Sequence, residues 1–313
     1  MKRLFLILIS IAFLGLISTY FLIPDQIIVS EAEHVETSER ILEKYLTNAE
    51  ELRAWWPESK GDSLSPDSIF LFNSLGFKFK RPVLNSVPVS IEEGRFTHNS
   101  VITWNLVSGK TMIIGWKTSI KASNNPIKRI AQYQHAKKIK KSMVHLLEEL
   151  LTFVVSSKNV YGLNVEHKTV TDTILATTSI ETKKRPTTVE IYEQIDHIKN
   201  YINGQSAEQV NAPMLNISRN PSGNYLTMVA VPVNKEIPSD SKVSVQKMIA
   251  GNILVAEVKG GPQSVAFGFE EMKAYMKDFK LTSPAMPFEL LITNRIAEPD
   301  TSSWITMIYY PVL

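Results

Sequence analysis

Residues 246–276 read QKMIAGNILVAEVKGGPQSVAFGFEEMKAYM, and residues 167–202 read HKTVTDTILATTSIETKKRPTTVEIYEQIDHIKNYI. Each stretch holds a strand centred on an Ile-Leu pair, Ile253-Leu254 and Ile174-Leu175, then a polar turn, then a helix. The helices close on matching steps: Met272, Tyr275 and Met276 in one, Ile198, Tyr201 and Ile202 in the other. Two strand-like segments follow each copy, 214–218 and 225–233 after the first, 287–293 and 304–311 after the second. The C-terminal half therefore reads as strand–helix–strand–strand, twice. Two such halves are expected to build one sheet with both helices on the same side and a groove near the pseudo-twofold axis.

Working toward the N-terminus, residues 156–162 (SSKNVYG) mark a domain boundary. Before them, residues 124–156 read as one long amphipathic helix. Pro126 sits in its first turn, and Ile127, Ile130, Ile139, Met143, Leu146, Leu150 and Phe153 recur in steps of three and four. Its first half carries Lys128, Arg129, Lys137, Lys138, Lys140 and Lys141, read either as a face for anionic lipid headgroups or as an ordinary solvated face. Earlier still the pattern has period two, with strands expected at 68–73, 77–82, 88–93, 95–106 and 111–121 and a turn at Ser108-Gly109. A first strand follows residue 25. Ser38 then caps a short helical region that Pro57 stops. The fold class is α+β, with divisions at 1–24, 25–157 and 158–313.

Residues 4–23, LFLILISIAFLGLISTYFLI, contain no charge. At about 1.5 Å per residue such a helix spans roughly 30 Å, the depth of a bilayer core. Lys2 and Arg3 precede it, so the expected orientation is a cytoplasmic N-terminus and outer domains beyond. Its bulky end, Tyr20 to Ile23, argues for an uncleaved anchor over a cleaved signal peptide.

Composition excludes several chemistries. With no cysteine there is no disulfide framework, thiolate metal site or cysteine nucleophile. Leaving out Lys2 and Arg3, the 34 basic residues fall to 32 against 31 acidic ones, so the body offers no electrostatic footprint for nucleic acid. The six histidines are scattered, and no phosphate-cradling loop or G-x-S-x-G elbow occurs. No metal or cofactor is expected.

One local anomaly points to a site. Glu289 lies inside an apolar strand, Pro287 to Ile292. Trp304, Tyr309 and Tyr310 on the last strand and Tyr225 on another are expected to bring aromatic faces beside it. A carboxylate among aromatics suits a cationic, planar organic ligand. The alternative reading is an outward-facing Glu289 with the aromatics as core.

The run Pro287-Phe288-Glu289-Leu290, then Glu298-Pro299 and Trp304 to Val312, resembles the close of the GyrI-like effector-binding domain, over roughly residues 160–313. The resemblance implies a small-molecule groove with a central glutamate, mapped onto Glu289. In some members it implies hydrolysis of electrophilic compounds by that glutamate and a tyrosine, for which Tyr309 and Tyr225 are the candidates. Residues 25–157, with the opening strand, Trp55-Trp56-Pro57, a meander and a closing helix, resemble the START-like (polyketide cyclase, SRPBCC) superfamily. That implies a helix-grip cavity for an apolar ligand. The combined expectation is a single-pass protein of the bacterial inner membrane with extracytoplasmic domains. It would bind a small amphipathic or cationic molecule through Glu289, Tyr225, Trp304 and Tyr309. The alternatives are a hydrolase using Glu289 and a non-catalytic structural protein.

Overall fold

Lys2–Leu22 form one helix, α1, that stops short of Pro24. The chain is described by a computed structural model over residues 2–57, 69–94, 96–170 and 173–313; Ser68 and Arg95, the first residues of two expected strands, lie outside the described residues. Among the described residues no helix is long and apolar enough to cross a membrane. The side chains of residues 2, 4–8 and 12 in α1 fall outside that set. The stretch of the expected anchor is thus helical. The chain divides into two units, Met1–Ser156 and Ser157–Leu313.

In the first unit α1 is followed by β1 (Gln26–Glu36), α2 (Glu39–Thr47), α3 (Ala49–Trp55), β2 (Phe70–Phe72), β3 (Leu75–Phe79), β4 (Ser86–Glu93), β5 (Phe96–Ser108), β6 (Thr111–Lys121) and α4 (Pro126–Val155). The strands form one antiparallel sheet in the order β1-β6-β5-β4-β3-β2. Local chemistry explains the breaks. Ser38 accepts from the Ile41 N–H at the start of α2. Gly109, at φ +53°, makes the β5–β6 turn without the strain a Cβ would bring. Asn125 accepts from the Ile127 and Lys128 N–H groups before Pro126. Trp104, Trp116, Phe77 and Ile102 of the sheet are each at most 1% exposed.

The start of α4 departs from its expected pattern. Ile127 and Ile130 are exposed, whereas Arg129 is buried. Its guanidinium donates to the Ile23 carbonyl at the end of α1, pairs with Asp25 at 2.7 Å, and lies 5.1 Å over the Tyr20 ring. A helix C-terminus leaves carbonyls without intrahelical partners, and a cation there meets the negative end of the dipole. Arg129 is therefore a fastening for α1 and not part of a solvated basic face. Lys138 pairs with Glu93 and Lys140 with Glu31, so the remaining lysines are only partly free.

The second unit runs α5 (Ser157–Tyr161), β7 (Glu166–Val170), β8 (Thr173–Thr182), α6 (Thr188–Gly204), β9 (Met214–Arg219), β10 (Tyr225–Val233), β11 (Ser244–Met248), β12 (Gly251–Lys259), α7 (Pro262–Asp278), β13 (Phe288–Leu291) and β14 (Ile305–Val312). Thr171 and Asp172, within the first repeat, lie outside the described residues. The repeat holds one strand more than expected: β7 or β11 stands ahead of the Ile-Leu strand in each copy. The eight strands pair antiparallel in the order β11-β8-β10-β9-β13-β14-β12-β7. The order is the same from either end once the halves are exchanged, with the β9–β13 pair at the centre.

Register decides which face each residue joins. Glu289 pairs with Leu215 on one side and with Ile308 on the other, so the three share a face. On that face Leu215, Val229 and Val231 pack with Ile191, Ile195 and Ile198 of α6. In the other half Gly268 of α7 approaches Val258 and Ile308 so closely that a Cβ would lie 2.7 Å from Val258 Cγ2. Both helices therefore cover the Glu289 face, and Gly268 permits the close seat of α7.

Candidate functional site

The two helices leave a groove of about 310 Å³ over the central strands. Ile191 of α6, Val265 and Phe269 of α7, and Pro287 and Tyr310 from the sheet side supply its apolar walls. Glu289 is at its floor, 8% exposed. Phe269 and Tyr310 meet edge to face with centroids 6.2 Å apart. Burial raises the Tyr310 hydroxyl above the ordinary tyrosine range, partly offset by Lys273, so it is a neutral donor at physiological pH.

The carboxylate is not alone. Arg295 Nη2 lies 2.9 Å from Glu289 Oε2 and 2.9 Å from Thr306 Oγ1. Its guanidinium also stacks 5.0 Å over the Trp304 ring. The loop that carries it is locally determined. Asn294 Oδ1 accepts from the Ile296 N–H, and the Arg295 N–H donates to the Tyr192 hydroxyl at 2.8 Å. Tyr192 in turn donates to the Thr293 carbonyl, and burial holds its hydroxyl above its usual range. So α6 fixes the loop after β13, and the loop delivers a cation to the carboxylate on the groove floor.

The expected ligand-binding residues separate. Glu289 lines the groove. Trp304 is buried and supports Arg295 from behind, its indole N–H donating to the Glu298 carbonyl. Tyr309 cannot reach: it pairs with Phe288, and the two rings stack 5.0 Å apart on the opposite face of the sheet. Tyr225 shares the face of Glu289 but is four residues along β10 from Val229, roughly 13 Å at about 3.3 Å per residue, and lies against Arg219. Tyr310, the neighbour of Tyr309, is the groove tyrosine. Arg295 was not among the expected residues; its signal is an arginine in a turn six residues after Glu289.

In the first unit one polar cluster joins residues distant in sequence. His98 Nε2 and His135 Nε2 are 3.1 Å apart, and Glu93 contacts both His135 Nδ1 and Lys138 Nζ. Among the described residues no group of three or more His, Cys, Asp or Glu is arranged to hold a metal ion.

No family model matches the chain, and no curated protein matches it. Similar solved structures include the EcmrR C-terminal domain, 15% identical with a TM-score of 0.42, covering 48% of this chain and 98% of that one. SAV2435 bound to tetraphenylphosphonium is 17% identical with a TM-score of 0.33, covering 48% and 93%. A hydrolase from Listeria innocua is 9% identical with a TM-score of 0.38, covering 48% and 91%. At these scores the likenesses lend no weight to a function. The chain's own fold and site define a duplicated α+β sheet with two helices on one face and a groove between them.

Proposed function

We propose that this chain is a membrane-tethered small-molecule-binding protein whose ligand enters the groove of the second unit, a GyrI-like effector-binding module. The observation that carries the reading is the groove itself: Ile191, Val265 and Phe269 from two helices stand over a floor bearing a buried ion pair, with charged groups at the mouth. Pockets of this size and make-up suit small organic ligands. Thermal-shift and fluorescence titration of the full chain with small amphipathic molecules tests it. Ala266→Trp, which places a large ring in the groove from an exposed position, should abolish any stabilisation found. Binding that survives Ala266→Trp unchanged would place the ligand elsewhere and remove the proposal.

The tether rests on the uncharged run 4–23 and on what surrounds its end. Phe21, Leu22, Ile127 and Ile130 are exposed apolar side chains on α1 and on the helix fastened to it. A bilayer surface would cover them. The first unit, a START-like helix-grip fold in this reading, would stand directly on the membrane, outside the cytoplasm. Fractionation of cells expressing the full chain and a chain starting at Gln26 tests this. Equal recovery of both in the soluble fraction would refute it.

The hydrolase reading fares less well. It asks Glu289 to take a proton from water while a tyrosine holds the developing charge. Oε2 of Glu289 is already bonded to Arg295, and Tyr309 is on the wrong face. Binding needs neither.

A further inference from the structure

Beneath this groove lie three groups that could hold a cation: the Glu289 carboxylate, the Trp304 ring and the Thr306 hydroxyl. All three are taken by one side chain. Arg295 pairs with Glu289 at 2.9 Å, donates to Thr306 at 2.9 Å and stacks over Trp304 at 5.0 Å, and its side chain is only 8% exposed. The backbone of the same residue is held by Tyr192, so the guanidinium is a fixed part of the floor. A cationic ligand would have to displace it and leave its charge buried without a partner, which is unfavourable in a medium of low polarity.

The charge left at the mouth has the opposite preference. Glu270 is tied to Lys273 at 2.7 Å. Arg185 is exposed at the rim and has no ion pair among the described residues. The lining thus holds three cations, Arg185, Lys273 and Arg295, against two carboxylates, Glu270 and Glu289. The first turns of α6 and α7 also form part of the wall, through Thr188, Pro262 and Val265, and helix N-termini carry partial positive charge.

Resting on the groove reading above, we infer that Arg295 occupies the cation seat and that the groove selects monoanionic amphiphiles. The apolar body lies against Ile191, Val265 and Phe269, and the carboxylate or sulfonate meets Arg185 at the mouth. Arg295 is the specificity-determining residue: it excludes cations that Glu289 alone would attract.

Three probes of one shape test this with the full chain by calorimetric titration: 2-naphthoate, 2-naphthamide and 2-naphthyltrimethylammonium. The native chain should bind naphthoate at least about tenfold more tightly than the ammonium probe. Arg185→Gln, an exposed change, should bring naphthoate down to the level of naphthamide. Arg295→Met should reverse the order, with the ammonium probe gaining at least about tenfold. Should Arg295→Met fail to fold, Glu289→Gln serves instead: it keeps the shape, frees the guanidinium and should tighten naphthoate. A native chain that binds the ammonium probe as tightly as naphthoate, or a Glu289→Gln variant that binds naphthoate more weakly, overturns the inference while leaving the groove a binding site. Failure of all three probes on the native chain overturns the groove reading itself.

Discussion

Removing one partner of the Glu289–Arg295 pair should cost far more than removing both. The side chains are 10% and 8% exposed, so either charge left alone is stranded away from water. Truncating one member of a buried pair costs about 3–5 kcal/mol, while replacing both by apolar groups of similar size is often neutral. Arg295→Met also gives up the stack on Trp304, worth about 0.5–2 kcal/mol. Glu289→Leu and Arg295→Met are each expected to destabilise the second unit by about 3–5 kcal/mol. The double variant should lie within about 2 kcal/mol of the native chain, which leaves a coupling energy of about 4 kcal/mol or more. At roughly 2–4 °C per kcal/mol for a unit of this size, each single change lowers Tm by roughly 6–20 °C. The assay is urea unfolding of the full chain read by hydrogen exchange of peptides from residues 157–313, so that the first unit does not mask the signal. If the double variant loses the sum of the two single losses, the residues do not form a shared buried pair, and the reasoning about the cation seat falls with it.

Gly268→Ala brings a helix-propensity gain of about 1 kcal/mol but sets a Cβ 2.7 Å from Val258 Cγ2, an overpacking cost of about 1–3 kcal/mol. A net loss is expected in thermal unfolding, and Val258→Ala in the same chain should recover part of it. Arg129→Met should loosen the end of α1, seen as faster proteolysis near residues 23–25, whereas Asp25→Asn should change little because the Asp25 side chain is 94% exposed. Stability of the first unit should fall with acid in two stages. Burial, with His135 adding to it, holds His98 below the ordinary histidine value, so the folded state resists a proton that the unfolded chain takes up at about pH 6.5, and stability declines as pH drops through that value. The bond from Lys138 holds Glu93 below the usual carboxylate range, so its contribution is present above about pH 4.5 and is lost as pH falls further. His98→Gln should remove the upper stage and Glu93→Gln the lower in a pH series of urea midpoints.

The meander of the first unit was legible because its strands alternate strongly; β5, with Ile102 and Trp104 inward, is the clearest case. The duplication was legible through Ile174-Leu175 and Ile253-Leu254 and the two matching helix ends. Strands β7 and β11 were not, since each is five residues long and mostly exposed, which leaves no period to read. Glu289 stood out as a carboxylate in an apolar run. Its partner Arg295 did not, because the two meet through a turn that no periodicity announces. Tyr309 was placed on the wrong face because facing depends on the β13–β14 register, where one residue reverses every side chain. Arg129 was misread by its charge. Its position, seven residues before Ala136 and fourteen before Met143, is on the buried stripe of α4.

The arrangement of β7 and β11 carries a consequence for the second unit's history and handling. β7 leads the first half yet hydrogen-bonds to β12 of the second, and β11 leads the second half yet hydrogen-bonds to β8 of the first. Each half thus covers the flank of the other's longer strand with a five-residue edge strand, and a short edge offers a foreign strand less to pair with. A chain cut to one half would lack its guard and would seek the missing strand in a second copy. The duplicated unit is, in effect, a swapped dimer folded into a single chain, and neither half can let go without exposing both.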